Sequence, residues 1–205
     1  MSFITAYCHI TSDSCLMNGE EIVTRDSLSN DSWLKQIYKS QEFVYPKFYK
    51  MDSLAQAGFL ASELIKRAQP NLSAYQDDEI AMLFGNQYSS AESDIRFKKS
   101  YEEHGAPSPA LFVYTLPNIV LGEIAILNKW FGENLFVVLP KFAPDFFVSY
   151  AKILMSKGSE AVLCGWLGIG EERSDVFLFL VEKQGNAGME FNAGNLHKLA
   201  GFELV

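Results

Sequence analysis

The chain has 205 residues, 48% of them hydrophobic, with a net charge of -8 and a sequence pI of about 4.9. An acidic chain without a block of basic residues excludes binding to the phosphate backbone of nucleic acids. No apolar run reaches the roughly 18 residues that would span a bilayer, MSFITAYCHITSD does not read as a secretory signal, and an odd set of three cysteines without CxxC spacing points to a reducing cytoplasm rather than to disulfides or zinc.

The first predicted element is a strand, SFITAYCHI from Ser2. LSNDSWLKQIYKS follows as a short amphipathic helix with Ser29 or Asp31 as its cap. In KMDSLAQAGFLASELIKRA, residues Leu54, Ala57, Gly58, Ala61, Leu64, Ile65 and Ala68 recur at helical spacing, with Asp52 or Ser53 as cap and Pro70 as terminator. The small residues on that face permit close packing. EIAMLFGN has strand length, and a helix is expected over Asp94 to Glu103.

SPALFVYTLPNIVLGEIAI then predicts a turn and a helix so apolar that something must cover it on every side. NLFVVLP is a strand, and DFFVSYAKILMSKG a helix whose apolar positions Phe146, Phe147, Tyr150, Ile153 and Leu154 surround it, stopped by Gly158. EAVLCGW and VFLFLVEK are strands joined by a hairpin-like loop, GIGEERSD, and NLHKLAG is a closing helix. The order β-α-β-α-β-α-β-β predicts one α/β domain over residues 1–205. Its mixed five-stranded sheet carries helices on both faces, and the last two strands pair antiparallel.

The stretch SPALFVYTLPNIVLGEIAILNKWFGENLFVVLPKFAPDFFVSYAKILMSKGSEAVLCGW resembles the N-terminal half of β-ketoacyl synthases, which have the thiolase-like fold. Ser108, Pro109, Thr115 and Asn118 match that family's S-P-x-x-x-x-x-(S/T)-x-x-N segment, and Gly122, Gly132, Asn134, Gly158 and Gly165 fall at its later positions without an insertion. KMDSLAQAGFLASELIKRA is similar to the family's earlier helix; before Tyr45 the likeness is weak.

The resemblance implies that residues 108–126 lie at a dimer interface beside an acyl tunnel, the partner subunit helping to cover the apolar helix. It also shows a departure. Where the family has its nucleophile turn, T-A-C-x-S-G, this chain reads Leu139-Pro140-Lys141-Phe142-Ala143-Pro144, so Lys141 occupies the nucleophile position. A thiolate at a helix N-terminus is favoured by the helix field; an ammonium is opposed by it. The half that would bring two catalytic histidines is absent from this sequence, and His9, His104 and His197 sit in no such motif.

The chain is therefore similar to small, catalytically silent ketosynthase-like proteins of chain-length-factor type, found in aryl-polyene and flexirubin pigment pathways. That similarity implies a full-length ketosynthase as partner, or a homodimer, with an acyl carrier protein reached through the partner, and neither cofactor nor metal. Leu111 takes the place of a tunnel-floor residue, flanked by Ala110 and Phe112; Thr115, Asn118 and Phe142 complete the candidate pocket and interface set.

Other readings stay open beside it. One is a stand-alone homodimeric acyl-binding or scaffold protein; another is an enzyme using Lys141 or Cys164. Cys164 in mid-strand reads as an inert core thiol. His9 reads as a structural histidine, and His104 and His197 as helix ends where a cation is welcome. Asp77-Asp78-Glu79 reads as a solvated loop, GWLGIGEE as a hairpin turn, and Arg96, Lys98 and Lys99 as a solvated helix face or a carrier-docking patch.

Overall fold

The computed structural model describes residues 1–170, 174–183 and 188–201, apart from the side chain of His104. The first strand, β1 (Phe3–Ile10), buries Ile4, Ala6, Cys8 and Ile10 more deeply than the residues between them, the period of two that a pleated strand imposes. A hairpin of β2 (Ser14–Met17) and β3 (Glu20–Thr24) extends it on one side. Met17 pairs with Glu20 across a two-residue turn in which Asn18 has φ 52° and Gly19 φ 87°. Both positive angles belong to the type I′ turn, which suits a right-twisted hairpin.

The remaining strands are β4 (Ile80–Asn86), β5 (Asn134–Val138), β6 (Ala161–Ile169), β7 (Ser174–Glu182) and the short β8 (Met189–Glu190). Their order is β3-β2-β1-β7-β6-β4-β5, with β8 pairing beside β1. β4 runs parallel to β5 and β6, while β7 is antiparallel to β6 and β1. The expected five-stranded mixed sheet, β1-β7-β6-β4-β5, is thus part of a larger one of eight strands, extended beyond β1. The expected antiparallel pair is β6–β7; part of the loop foreseen between them, residues 171–173, lies outside the described residues.

One face of the sheet is covered by α1 (Trp33–Ser40), α2 (Ser53–Ala68) and α5 (Ile119–Asn128). The other is covered by α6 (Pro144–Ser156) and α7 (Ala193–Ala200). Between β4 and α5 come α3 (Ala91–His104), closed by Gly105 at φ 66°, and the short α4 (Pro109–Val113). The approach of α2 to α5 is so close that a Cβ on Gly58 would stand 2.4 Å from Val120 Cγ2. The small residues read from the sequence face this contact as well as the sheet.

Three local expectations need correction. The residue before α1 is Ser32, not Ser29 or Asp31, and its side chain makes no capping bond; the Asp31 carboxylate instead takes the Lys39 ammonium at 2.5 Å. α5 is not covered all round: Val120, Leu121, Ile124 and Ala125 are buried, but Ile126 is 67% exposed. Nor is α6 enclosed on all sides within the fold. It buries the stripe Phe147, Ala151, Leu154 and Met155, and Ile153 faces solvent. Apolar composition could not separate a helix enclosed by its own chain from one with a bare flank.

Asp52, rather than Ser53, caps α2: its buried carboxylate accepts the Ala55 N–H at 2.8 Å and the Ser93 hydroxyl at 2.6 Å. Burial raises its pKa despite those two bonds, which act in the opposite direction. The folded state therefore holds this proton more tightly than the unfolded chain does. The stability that protonation brings is present below the ordinary carboxylate range and is lost as pH rises through the raised value.

Asn mimics the neutral form, accepting from Ala55 and donating to Ser93 Oγ. Asp52→Asn is expected to leave stability at pH 7 unchanged or higher and to remove this pH dependence, whereas Asp52→Ala should lose about 1–2 kcal/mol. Urea unfolding at neutral and acidic pH measures both.

Candidate functional site

β4, β5 and β6 point the same way, so their C-terminal ends share one edge of the sheet, where ligands of open α/β folds gather. Residues 139–143 lead from β5 into α6 along this edge. The entry is fixed by buried Asn86: its carbonyl accepts the Leu139 N–H at 2.9 Å, and its side chain exchanges two hydrogen bonds with the Ser89 backbone. β4 and β5 also meet closely, since a Cβ on Gly85 would lie 2.9 Å from Val137 Cγ2.

Lys141 lies three residues ahead of Pro144, the first residue of α6, with its side chain exposed. It thus precedes a helix that packs on the sheet. Pro144 contributes no N–H to the helix start, and Asp145 places a negative charge in the first turn, where the dipole favours it.

Phe142 turns inward. Its ring lies 5.3 Å from Phe147, 6.0 Å from Trp166 and 5.9 Å from Phe177, centroid to centroid. The space beneath residues 139–143 is therefore occupied by aromatic rings in tilted and edge-on contact.

The three cysteines are sealed. Cys8, Cys15 and Cys164 are all free and buried. Burial pushes the Cys164 thiol up; a hydrogen bond with Cys15, then burial, does the same for Cys8, so both stay as neutral, unreactive thiols. His9 Nε2 sits 2.7 Å from Asp175 Oδ1 with its ring edge-on to Phe177, and His197 stands in the last turn of α7. His104 ends α3, its side chain outside the described residues. Glu79 folds back to accept the Gln76 N–H at 2.7 Å, while Arg96, Lys98 and Lys99 are exposed on α3, where Lys98 lies 3.7 Å from Glu102.

The other pocket candidates stand apart from Phe142, on the stretch that contains α4. None of the α4 residues is buried: Phe112 is 55% exposed, Ala110 is exposed and Leu111 partly so. Polar ties hold this stretch. Ser108 accepts the Leu111 N–H at 3.4 Å, and the Thr115 carbonyl accepts the Ser90 hydroxyl at 2.7 Å. Phe112 leans on Phe97 at 5.6 Å. Asn118 precedes α5 without a side-chain capping bond.

Sequence reading passed over Glu123, a buried carboxylate within apolar α5. Lys47 Nζ stands 2.6 Å from its Oε2, off the direction of a well-formed hydrogen bond, so the contact is an ion pair. The signal was visible as the sole charge in IVLGEIAIL.

The two edges of the sheet differ. β3 begins with Glu20 and Glu21, a charged edge that discourages pairing. Among the described residues β5 pairs on one side only, with β4, and presents Asn134-Leu135-Phe136-Val137-Val138, none fully buried. Ile126, on α5, and Phe131, in the segment that leads from α5 into β5, are 67% and 61% exposed. Among the described residues no helix is long and apolar enough to cross a membrane.

No family model matches the chain, and neither does any curated protein. Solved structures do. The ishigamide ketosynthase/chain length factor aligns with a TM-score of 0.68 at 18% identity, over 91% of this chain and 63% of that one. A second match, titled as the AntDE:AntF complex of a type II polyketide synthase acyl-carrier protein with its ketosynthase, gives 0.65 at 12%, over 89% and 62%. The third, ketosynthase ApeO with its chain length factor ApeC from Xenorhabdus doucetiae, gives 0.59 at 15%, over 98% and 90%.

The chain thus spans less than two thirds of the first two and nearly all of the third. Its fold is the mixed α/β fold of these ketosynthase and chain-length-factor structures.

Proposed function

We propose that this chain is a non-catalytic, ketosynthase-like subunit that pairs with an active β-ketoacyl synthase and shapes the pocket for its growing acyl chain, as a chain length factor does. The reading is supported by the head of α6: Lys141, which the resemblance puts at the nucleophile position, is exposed, and Phe142 beside it packs inward against Trp166 and Phe177. The buried neutral thiols offer no substitute nucleophile. The chain then acts on acyl chemistry through the surface it presents to a partner.

Two features support that surface. β5 offers an unpaired edge flanked by exposed apolar side chains, while the opposite edge is guarded by glutamates. A second feature is α4, packed against α3, which presents Ala110, Leu111 and Phe112 without burying them in its own chain. A ketosynthase pairing along β5 would cover the bare flank of α5 and bring α4 to its pocket. The solved complexes, with their carrier protein and chain length factors, support the choice of partner. In this reading the carrier is met by the ketosynthase, and the products belong to fatty-acid or polyketide-type assembly such as aryl polyenes.

The test is a pair reconstituted with an active ketosynthase of the type that works with a chain length factor. Leu111→Trp adds bulk at the tunnel-floor position and is expected to shorten the main product, with the pair still forming. An unchanged product length measured by mass spectrometry would remove Leu111 from the pocket.

A further inference from the structure

Glu123 is the one charged residue of α5 and is only 6% exposed. An apolar residue there would avoid the cost of burying a carboxylate. Its surroundings show what it holds. On one side is Lys47, presented by the 3₁₀ turn Pro46–Lys50, which is itself anchored where Gln56 of α2 donates to the carbonyls of Phe48 and Met51. On the other is Tyr114, the residue that closes α4, whose hydroxyl donates to Glu123 Oε1 at 3.4 Å. Burial, then the charge of Glu123, pushes the Tyr114 pKa up to about 12, so the hydroxyl keeps its proton.

The platform under this contact is rigid, because α5 is locked on α2 through Gly58 and Val120. The passenger is held more lightly: no residue of α4 is buried, and besides Ser90 and Phe97 the side chain that ties it down toward the core is Tyr114. We propose that Tyr114, seated on Glu123, is a positioning residue that sets how far α4 extends toward the partner subunit, and thereby the acyl-chain length the pair accepts. The inference rests on the partner reading above. It adds that specificity is set from beneath α4 as well as by the side chains on its surface.

Tyr114→Phe removes the hydroxyl and little else. In the free chain, hydrogen exchange at residues 110–114 is expected to accelerate by at least about tenfold while α2 and α5 are unchanged, the signature of one locally loosened element. Glu123→Ala should give the same acceleration, and the double variant no more, because both act through one contact. In the reconstituted pair, Tyr114→Phe should at least halve the share of the main product and raise the neighbouring lengths.

Unchanged exchange in α4, or additive effects of the two substitutions, would overturn the proposal. So would an unchanged product distribution for Tyr114→Phe under conditions where Leu111→Trp alters it, and that outcome would leave the partner reading intact. If no pair forms, the partner reading fails and this inference fails with it.

Discussion

Glu182→Ala is expected to cost about 2–4 kcal/mol in urea unfolding at pH 7, more than any surface substitution in this chain. Glu182 closes β7 and is 1% exposed. Its carboxylate is satisfied from three directions. Thr5 of β1 donates to Oε2; Asn71 Nδ2, at 3.0 Å, and Tyr75 OH, at 2.7 Å, donate to Oε1. One carboxylate thus ties β1, β7 and the segment after α2 at a single corner. Alanine would leave these donors facing a void.

Asn71 is exposed and can turn to water, which keeps the estimate below the full cost of a broken buried network. Glu182→Gln should lose less, about 1–2 kcal/mol, because one amide oxygen still accepts. Tyr75 adds a pH signature. Burial first, then Glu182, raises its pKa, so this stabilisation is whole below the ordinary tyrosine range and is lost as pH rises through the raised value. Tyr75→Phe should remove that alkaline loss. A cost for Glu182→Ala under about 0.5 kcal/mol would mean that the corner is solvated and the three bonds count for little.

Ile126→Glu combined with Phe131→Glu is expected to weaken pairing with the ketosynthase by about 100-fold or more, some 3 kcal/mol. Both residues are exposed in the free chain, so its own stability should change by no more than about 0.5 kcal/mol. In the pair both would be buried, and a carboxylate without a partner would be desolvated at each place. The control is Ile22→Lys on β3, the edge already guarded by Glu20 and Glu21, which should leave affinity unchanged. Equal weakening from both edges, by titration calorimetry, would contradict the assignment of β5.

The order of strands and helices was legible because the chain repeats a simple physical pattern. Apolar strands of seven to nine residues such as β4 and β6 alternate with helices marked by caps and closing glycines. Asp52 before α2 was readable as a cap, and the lysine at position 141 stood out once the surrounding residues gave the register.

The β2–β3 hairpin was also legible and was missed. Asn18-Gly19 is a strong turn signal, but SCLM and EEIVT are short and lack a clean alternation. What no sequence could show was the bare flank of α5, since Ile126 is as apolar as its buried neighbour Ile124. The tie between Tyr114, Glu123 and Lys47 was hidden for a related reason. It joins three segments whose proximity exists only after α2 and α5 have packed, and no local pattern announces it.

The most direct test of the central claim is native mass spectrometry of this chain co-expressed with an active ketosynthase of the type that works with a chain length factor. Condensing activity should be measured on the same sample with an acyl carrier protein. The account predicts a one-to-one complex whose activity disappears when the ketosynthase loses its cysteine and persists when Lys141 is changed to alanine. A chain that remains alone or pairs only with itself, or activity that falls with Lys141, would contradict it.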